Sequence, residues 1–129
     1  MFNGELELLT PSGEAFDPLL FLTLARELGQ SDDQSKLRTA VGRAYYAVFL
    51  VARDRLSVVA GEKTHKEVFE SLKRRNQFKL RDQMMSLYRL RQVADYEMVG
   101  VDERSKNWKS NWIRQEKLAD AMLSAVQRL

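Results

Sequence analysis

Cysteine is absent from the 129 residues, which excludes a disulfide framework, thiolate-bound zinc and thiol catalysis, and fits a cytoplasmic protein. Proline is nearly absent: Pro11 and Pro18 are the only two, and none follows position 18. With only six glycines as well, the chain lacks the turn residues an all-β domain needs, and helices are the expected alternative. Long apolar runs are missing. The longest candidate, Leu19 to Leu24, is broken by Thr23 and followed by Arg26, well short of the roughly 18 residues a membrane span requires. The N-terminal stretch MFNGELELL carries acids and no basic region, so it is not a secretory signal. Histidine occurs once, at His65, and with no second histidine and no cysteine a transition-metal site is not expected. No motif calls for a cofactor.

What is present describes a folded domain. The chain is 44% hydrophobic and 30% charged, and its length suits one domain of roughly 100–200 residues. Twenty-one basic against 18 acidic residues leave a net charge of +3, which permits an anionic partner without requiring one.

Helix signals then divide the chain. Residues 1–16, with Gly4, Pro11, Ser12 and Gly13, read as an arm or loop, and residues 17–129 as a single helical domain. Asp17-Pro18 is a helix start, and Gly29 a stop for the leucine-rich segment between. Ser31, Asp32 and Asp33 open a second helix, whose apolar stripe Leu37, Val41, Ala44, Val48, Ala52, Leu56 and Val59 ends at Gly61. At about 1.5 Å per residue this is a rod near 40 Å long. Thr64-His65-Lys66-Glu67 has the form of a capping box for a short third helix, which fades at Arg74-Arg75-Asn76. A fourth helix runs from about Gln77 to Tyr96. After a connector at Val99 to Ser105, a last helix runs from about Lys106 to Arg128, with Trp108 and Trp112 inward. Short connectors between amphipathic helices predict an all-α, up-and-down antiparallel bundle of four to five helices.

Three features carry possible chemistry. On the fourth helix Arg91 falls on the apolar stripe Leu80, Met84, Leu87, Ala94, with Asp95 one turn on. An inward guanidinium needs a partner, so the pair is either a structural ion pair or a site whose planar fork receives phosphate. On the second helix, Arg43-Ala44-Tyr45-Tyr46-Ala47-Val48-Phe49 puts aromatic rings beside a cation, as core or as a stacking surface. The bases Lys73, Arg74, Arg75, Lys79 and Arg81 fall within nine residues with no acid between them, and Arg89 follows. Such a run is either a solvated face or a track for a nucleic-acid backbone. His65 is expected near the surface, at the start of its helix.

Three stretches in order resemble the HEPN superfamily of small helical domains: Leu37-Arg38 through Arg43-Ala44-Tyr45-Tyr46-Ala47-Val48-Phe49; Thr64-His65-Lys66; and Leu87-Tyr88-Arg89-Leu90-Arg91-Gln92-Val93-Ala94-Asp95-Tyr96. The resemblance covers roughly residues 35–98. It implies a helical bundle, often dimeric, whose active members cut RNA without metal and whose toxin members pair with a nucleotidyltransferase-fold antitoxin. The family's ribonuclease motif is an arginine, usually a polar residue next, and a histidine four to six positions after the arginine. Arg91-Gln92 matches its first half, while Asp95, Tyr96 and Glu97 stand where the histidine is sought. The resemblance therefore implies a module that binds RNA or a nucleotide through Arg91, Arg43 and the bases Lys73, Arg74, Arg75, Lys79 and Arg89. The alternatives are a metal-independent ribonuclease using Arg91, Asp95 and Tyr96, with His65 a further candidate for proton transfer, and a non-catalytic adaptor.

Overall fold

The structure, a computed structural model, describes residues 15–98 and 107–129. Within them five helices form: α1 Leu19–Gly29, α2 Gln34–Arg55, α3 Thr64–Arg74, α4 Phe78–Tyr96 and α5 Trp108–Gln127. The chain is thus the expected all-α bundle. The expected arm lies outside the described residues except for positions 15 and 16, and the connector at 99–105 lies outside them entirely.

Local chemistry sets the helix starts. The Asp17 carboxylate accepts from the Leu19 amide at 3.0 Å, and Pro18 already has helical angles. Asp33 accepts from the Ser35 amide and hydroxyl at 2.8 and 2.6 Å. Those bonds, the side-chain one foremost, hold its carboxyl below the usual range. The capping box at Thr64 does not form. Thr64 is itself the first helical residue, and its hydroxyl bonds the Gly61 amide and carbonyl at 2.6 and 2.5 Å. The amide of Glu67 goes to the Lys63 carbonyl instead. The hydroxyl closes the 61–64 turn because the chain doubles back there.

Helix α2 is shorter than its pattern predicts. It ends at Arg55, so it is roughly 33 Å long at about 1.5 Å per residue. Leu56 stays buried, but Ser57 turns left-handed (φ 56°), and the Val58 amide reaches the Arg53 carbonyl at 3.0 Å. This is a Schellman stop with serine where glycine is usual. Val59, read as part of the stripe, is exposed. α3 ends the same way, with Asn76 left-handed (φ 59°) and the Gln77 amide on the Leu72 carbonyl at 2.9 Å. α1 ends at Gly29, as expected, but the glycine serves packing as well: a Cβ there would lie 2.0 Å from Trp112 Nε1. Glycine is needed because the indole occupies that space.

Contacts give the topology. Arg38 meets the Ala94 region, Gly42 lies beside Arg91 and Asp95, and Tyr45 meets Tyr88, so α2 and α4 are antiparallel. Gly29 meets Trp112 while Arg26 pairs with Glu116 and Asp120, which makes α1 and α5 antiparallel. Arg38 lies over Trp108 and Gln115 bonds the Val41 carbonyl, so α2 and α5 run parallel. Four helices alternate in direction, and α3 pairs with α4 in a side hairpin. Central α2 buries Val41, Ala44, Tyr45, Ala47 and Val48 completely. Small residues at 40, 42, 44 and 47 bring neighbouring helices close, as their spacing implies. Two polar residues share the inward face of α5. One of them, Gln115, bonds the Val41 and Leu87 carbonyls at 3.3 and 3.1 Å and ties three helices together.

Candidate functional site

Arg43, Tyr46, Leu50 and Arg53 follow one another on α2 at spacings of three, four and three, so they share a face. That face forms one wall of an open cleft of about 810 Å³. Antiparallel α4 adds Arg91 to the cleft, and the first turn of α3 adds His65. The guanidinium carbons of Arg43 and Arg91 lie 5.0 and 5.1 Å from the centre of the Tyr46 ring, a cation–π arrangement from two cations on one ring. Arg43 also lies 4.9 Å from the Phe21 ring. Among the described residues lining this cleft Glu62 is the only carboxylate, against three arginines. The cleft is electropositive, and the low-dielectric rings beneath the cations strengthen their field.

Arg91 is 14% exposed along its side chain. Its Nε is 2.9 Å from an oxygen of Asp95, as the four-residue spacing predicts. The carboxylate lies off the N–H direction, so the buried Nε finds no hydrogen-bond acceptor among the described residues. Asp95 neutralises the guanidinium without saturating it. Tyr96 is 69% exposed and reaches Arg91 only through its ring, at 5.8 Å.

His65 is half-buried, with part of its ring open to the cleft. Its ring stacks on Phe49 at 4.4 Å and lies 5.0 Å from Tyr88, and its Nδ1 shares a 2.6 Å hydrogen bond with the Tyr45 hydroxyl. Burial lowers the imidazole below its ordinary 6.5, and the nearby charges of Arg91 and Arg53 lower it further. Histidine is therefore neutral near pH 7. Burial, with Tyr46 and Tyr88 nearby, pushes the Tyr45 phenol far up, so it stays protonated and fixes the imidazole's orientation.

The basic run divides. Lys73 and Arg89 line a second groove, between α3 and α4, with Lys66 and Arg81. Arg74, Arg75 and Lys79 are exposed and line neither cleft. Trp108 and Trp112 are buried. The nearby bases of α5 have structural duties: Lys109 caps the Gly29 and Ser31 carbonyls at 2.8 and 3.2 Å, and Arg114 bonds Asn111 at 2.8 Å. Among the described residues no three histidine, aspartate or glutamate side chains gather closely enough to hold a metal ion.

Arg53, 6% exposed, is a residue of the cleft that the motifs miss, though its spacing from Arg43 through Tyr46 and Leu50 carries a signal. His65 was a candidate from the sequence, but its place in one cleft with Arg91 is not marked there, because only the fold brings the two together. No family model, curated protein or solved structure matches the chain.

Proposed function

We propose that this chain is a HEPN-like cytoplasmic module that binds the phosphate of RNA or of a nucleotide in the α2–α4 cleft. The observation that carries the reading is the convergence of Arg43 and Arg91 on the Tyr46 ring. Two guanidiniums held on one ring repel each other, and an anion between them offsets that cost while receiving planar, charge-assisted hydrogen bonds. Tyr46 and His65, both partly exposed at the cleft, supply ring surface on which a base can stack.

A second reading, metal-independent RNA cleavage, is favoured by one observation: the only histidine of the chain lines the cleft with Arg91. A neutral imidazole can take the proton of a 2′-hydroxyl, whose oxygen then bonds to phosphorus as the bond from phosphorus to the 5′-oxygen breaks and solvent water protonates that oxygen. Asp95 is engaged by Arg91 and Tyr96 points to solvent, so His65 is the better base of the three.

Incubating the protein with labelled total RNA in EDTA, beside Arg91→Ala, separates the readings. Salt-dependent binding that the substitution weakens, with no cleavage, supports the module. Cleavage that survives EDTA and vanishes in the variant supports the enzyme. Neither binding nor cleavage leaves an adaptor. The HEPN resemblance adds a second copy across α4 and a nucleotidyltransferase-fold antitoxin as partners to test. Exposed Phe78 and Tyr96 at the two ends of α4 are apolar surface that such a copy would cover.

A further inference from the structure

We infer that the occupant of the cleft is a single strand of several nucleotides, not a mononucleotide, and that it continues across His65 into the groove between α3 and α4. This rests on the phosphate-binding reading of the cleft. The groove is about 630 Å³ and shares one residue with the cleft, His65. It is lined by Lys66, Lys73, Arg81 and Arg89 against Glu70 and Asp82, so it too is electropositive. Asp82 holds Arg81 at 3.1 Å. Lys73 and Arg89 are exposed, and among the described residues neither is in an ion pair.

Rings connect the two basins. Phe49 to His65 is 4.4 Å, His65 to Tyr88 is 5.0 Å, and Tyr88 to Phe69 is 5.6 Å between centres. Phe49 is buried beneath His65, so the partly exposed rings of His65, Tyr88 and Phe69 carry the series from the cleft to the wall of the groove, with cations on both sides. Alternating rings and cations are what a single strand uses, since bases stack on any aromatic face while phosphates follow the charge. Each basin alone falls in the range of roughly 300–1,000 Å³ typical of a small-molecule site. One mononucleotide would fill one basin and leave the cations of the other unanswered.

The test is displacement of a fluorescein-labelled uridine hexamer, with unlabelled hexamer and UMP as competitors. The hexamer is expected to compete about tenfold or more better than UMP, since additional phosphates and bases are engaged. Lys73→Gln/Arg89→Gln should lower the ratio of hexamer to UMP affinity. It should also flatten the salt dependence of hexamer binding by about 1.4 in log–log slope, two phosphates at roughly 0.7 each. Both positions are exposed, so the variant keeps its fold, which circular dichroism verifies. Equal competition by UMP and hexamer, or an unchanged ratio in the double variant, overturns the extension. In that event UMP binding that Arg91→Ala abolishes leaves the cleft reading standing. Failure of the wild type to bind either probe overturns both.

Discussion

Arg91 does two things with one side chain. Its Nε faces Asp95 at 2.9 Å, while its guanidinium carbon lies over Tyr46. His65 is held as firmly, between the Tyr45 hydroxyl and the Phe49 ring. Its lowered pKa has a consequence for stability. Below pH 6.5 the unfolded chain takes up the proton more readily than the folded one, so this contribution is intact above pH 6.5 and is lost as pH falls towards the native value. His65→Asn, which keeps a polar group near Nδ1, should remove that part of the acid sensitivity; urea midpoints on either side of pH 6.5 measure it. A slope identical to wild type would mean the imidazole is as well solvated as in the unfolded chain. Gly29 tests packing. Gly29→Ala should cost about 1–3 kcal/mol by overpacking against Trp112, and Trp112→Phe in that background should recover part of it. Urea denaturation reads both, and a neutral Gly29→Ala would contradict the close approach.

At the scale of elements, the ends of α2 and α3 explain what a sequence pattern can and cannot give. The stripes of α2 and α4 were legible because period 3.6 is a property of the chain itself, and Leu80, Met84, Leu87 and Ala94 are buried as their spacing requires. The stop of α2 was not, because a left-handed serine leaves no mark where glycine is sought, and Val59 continues the period past the true end. Ser57→Gly should therefore stabilise the fold, by up to about 1 kcal/mol, since the left-handed conformation costs an L side chain about that much or more. A higher urea midpoint with unchanged m-value is the expected result, and a lower one would place the helix end elsewhere. α4 owes its final turn to another helix: Arg38 donates to the Ala94 and Val93 carbonyls at 2.7 and 3.1 Å and also to that of Glu97. That cross-helix cap fixes the segment carrying Asp95, and thus the setting of Arg91. The i,i+4 pair was legible for the same reason as the stripes. The meeting of Arg91 with His65 was not, since it depends on how the 56–63 turn returns the chain to α2.

For the molecule as a whole, a net charge of +3 understates the field at its surface. Arg26 is matched by Glu116 and Asp120 where α1 meets α5, whereas the cleft and the groove gather most of their cations on α2, α3 and α4. On the proposed reading, an anionic strand meets these cations where the cleft and the groove adjoin at His65. Since histidine occurs once, its imidazole is a single reporter at the junction of the two basins. The most direct measurement is therefore an NMR titration of that ring from about pH 5 to pH 8, with and without the uridine hexamer. The account predicts that the free protein titrates below 6.5, and that the strand moves both ring signals and raises the pKa, because phosphate favours the imidazolium. Ring signals and a pKa that do not move while the strand is bound elsewhere on the protein would contradict it.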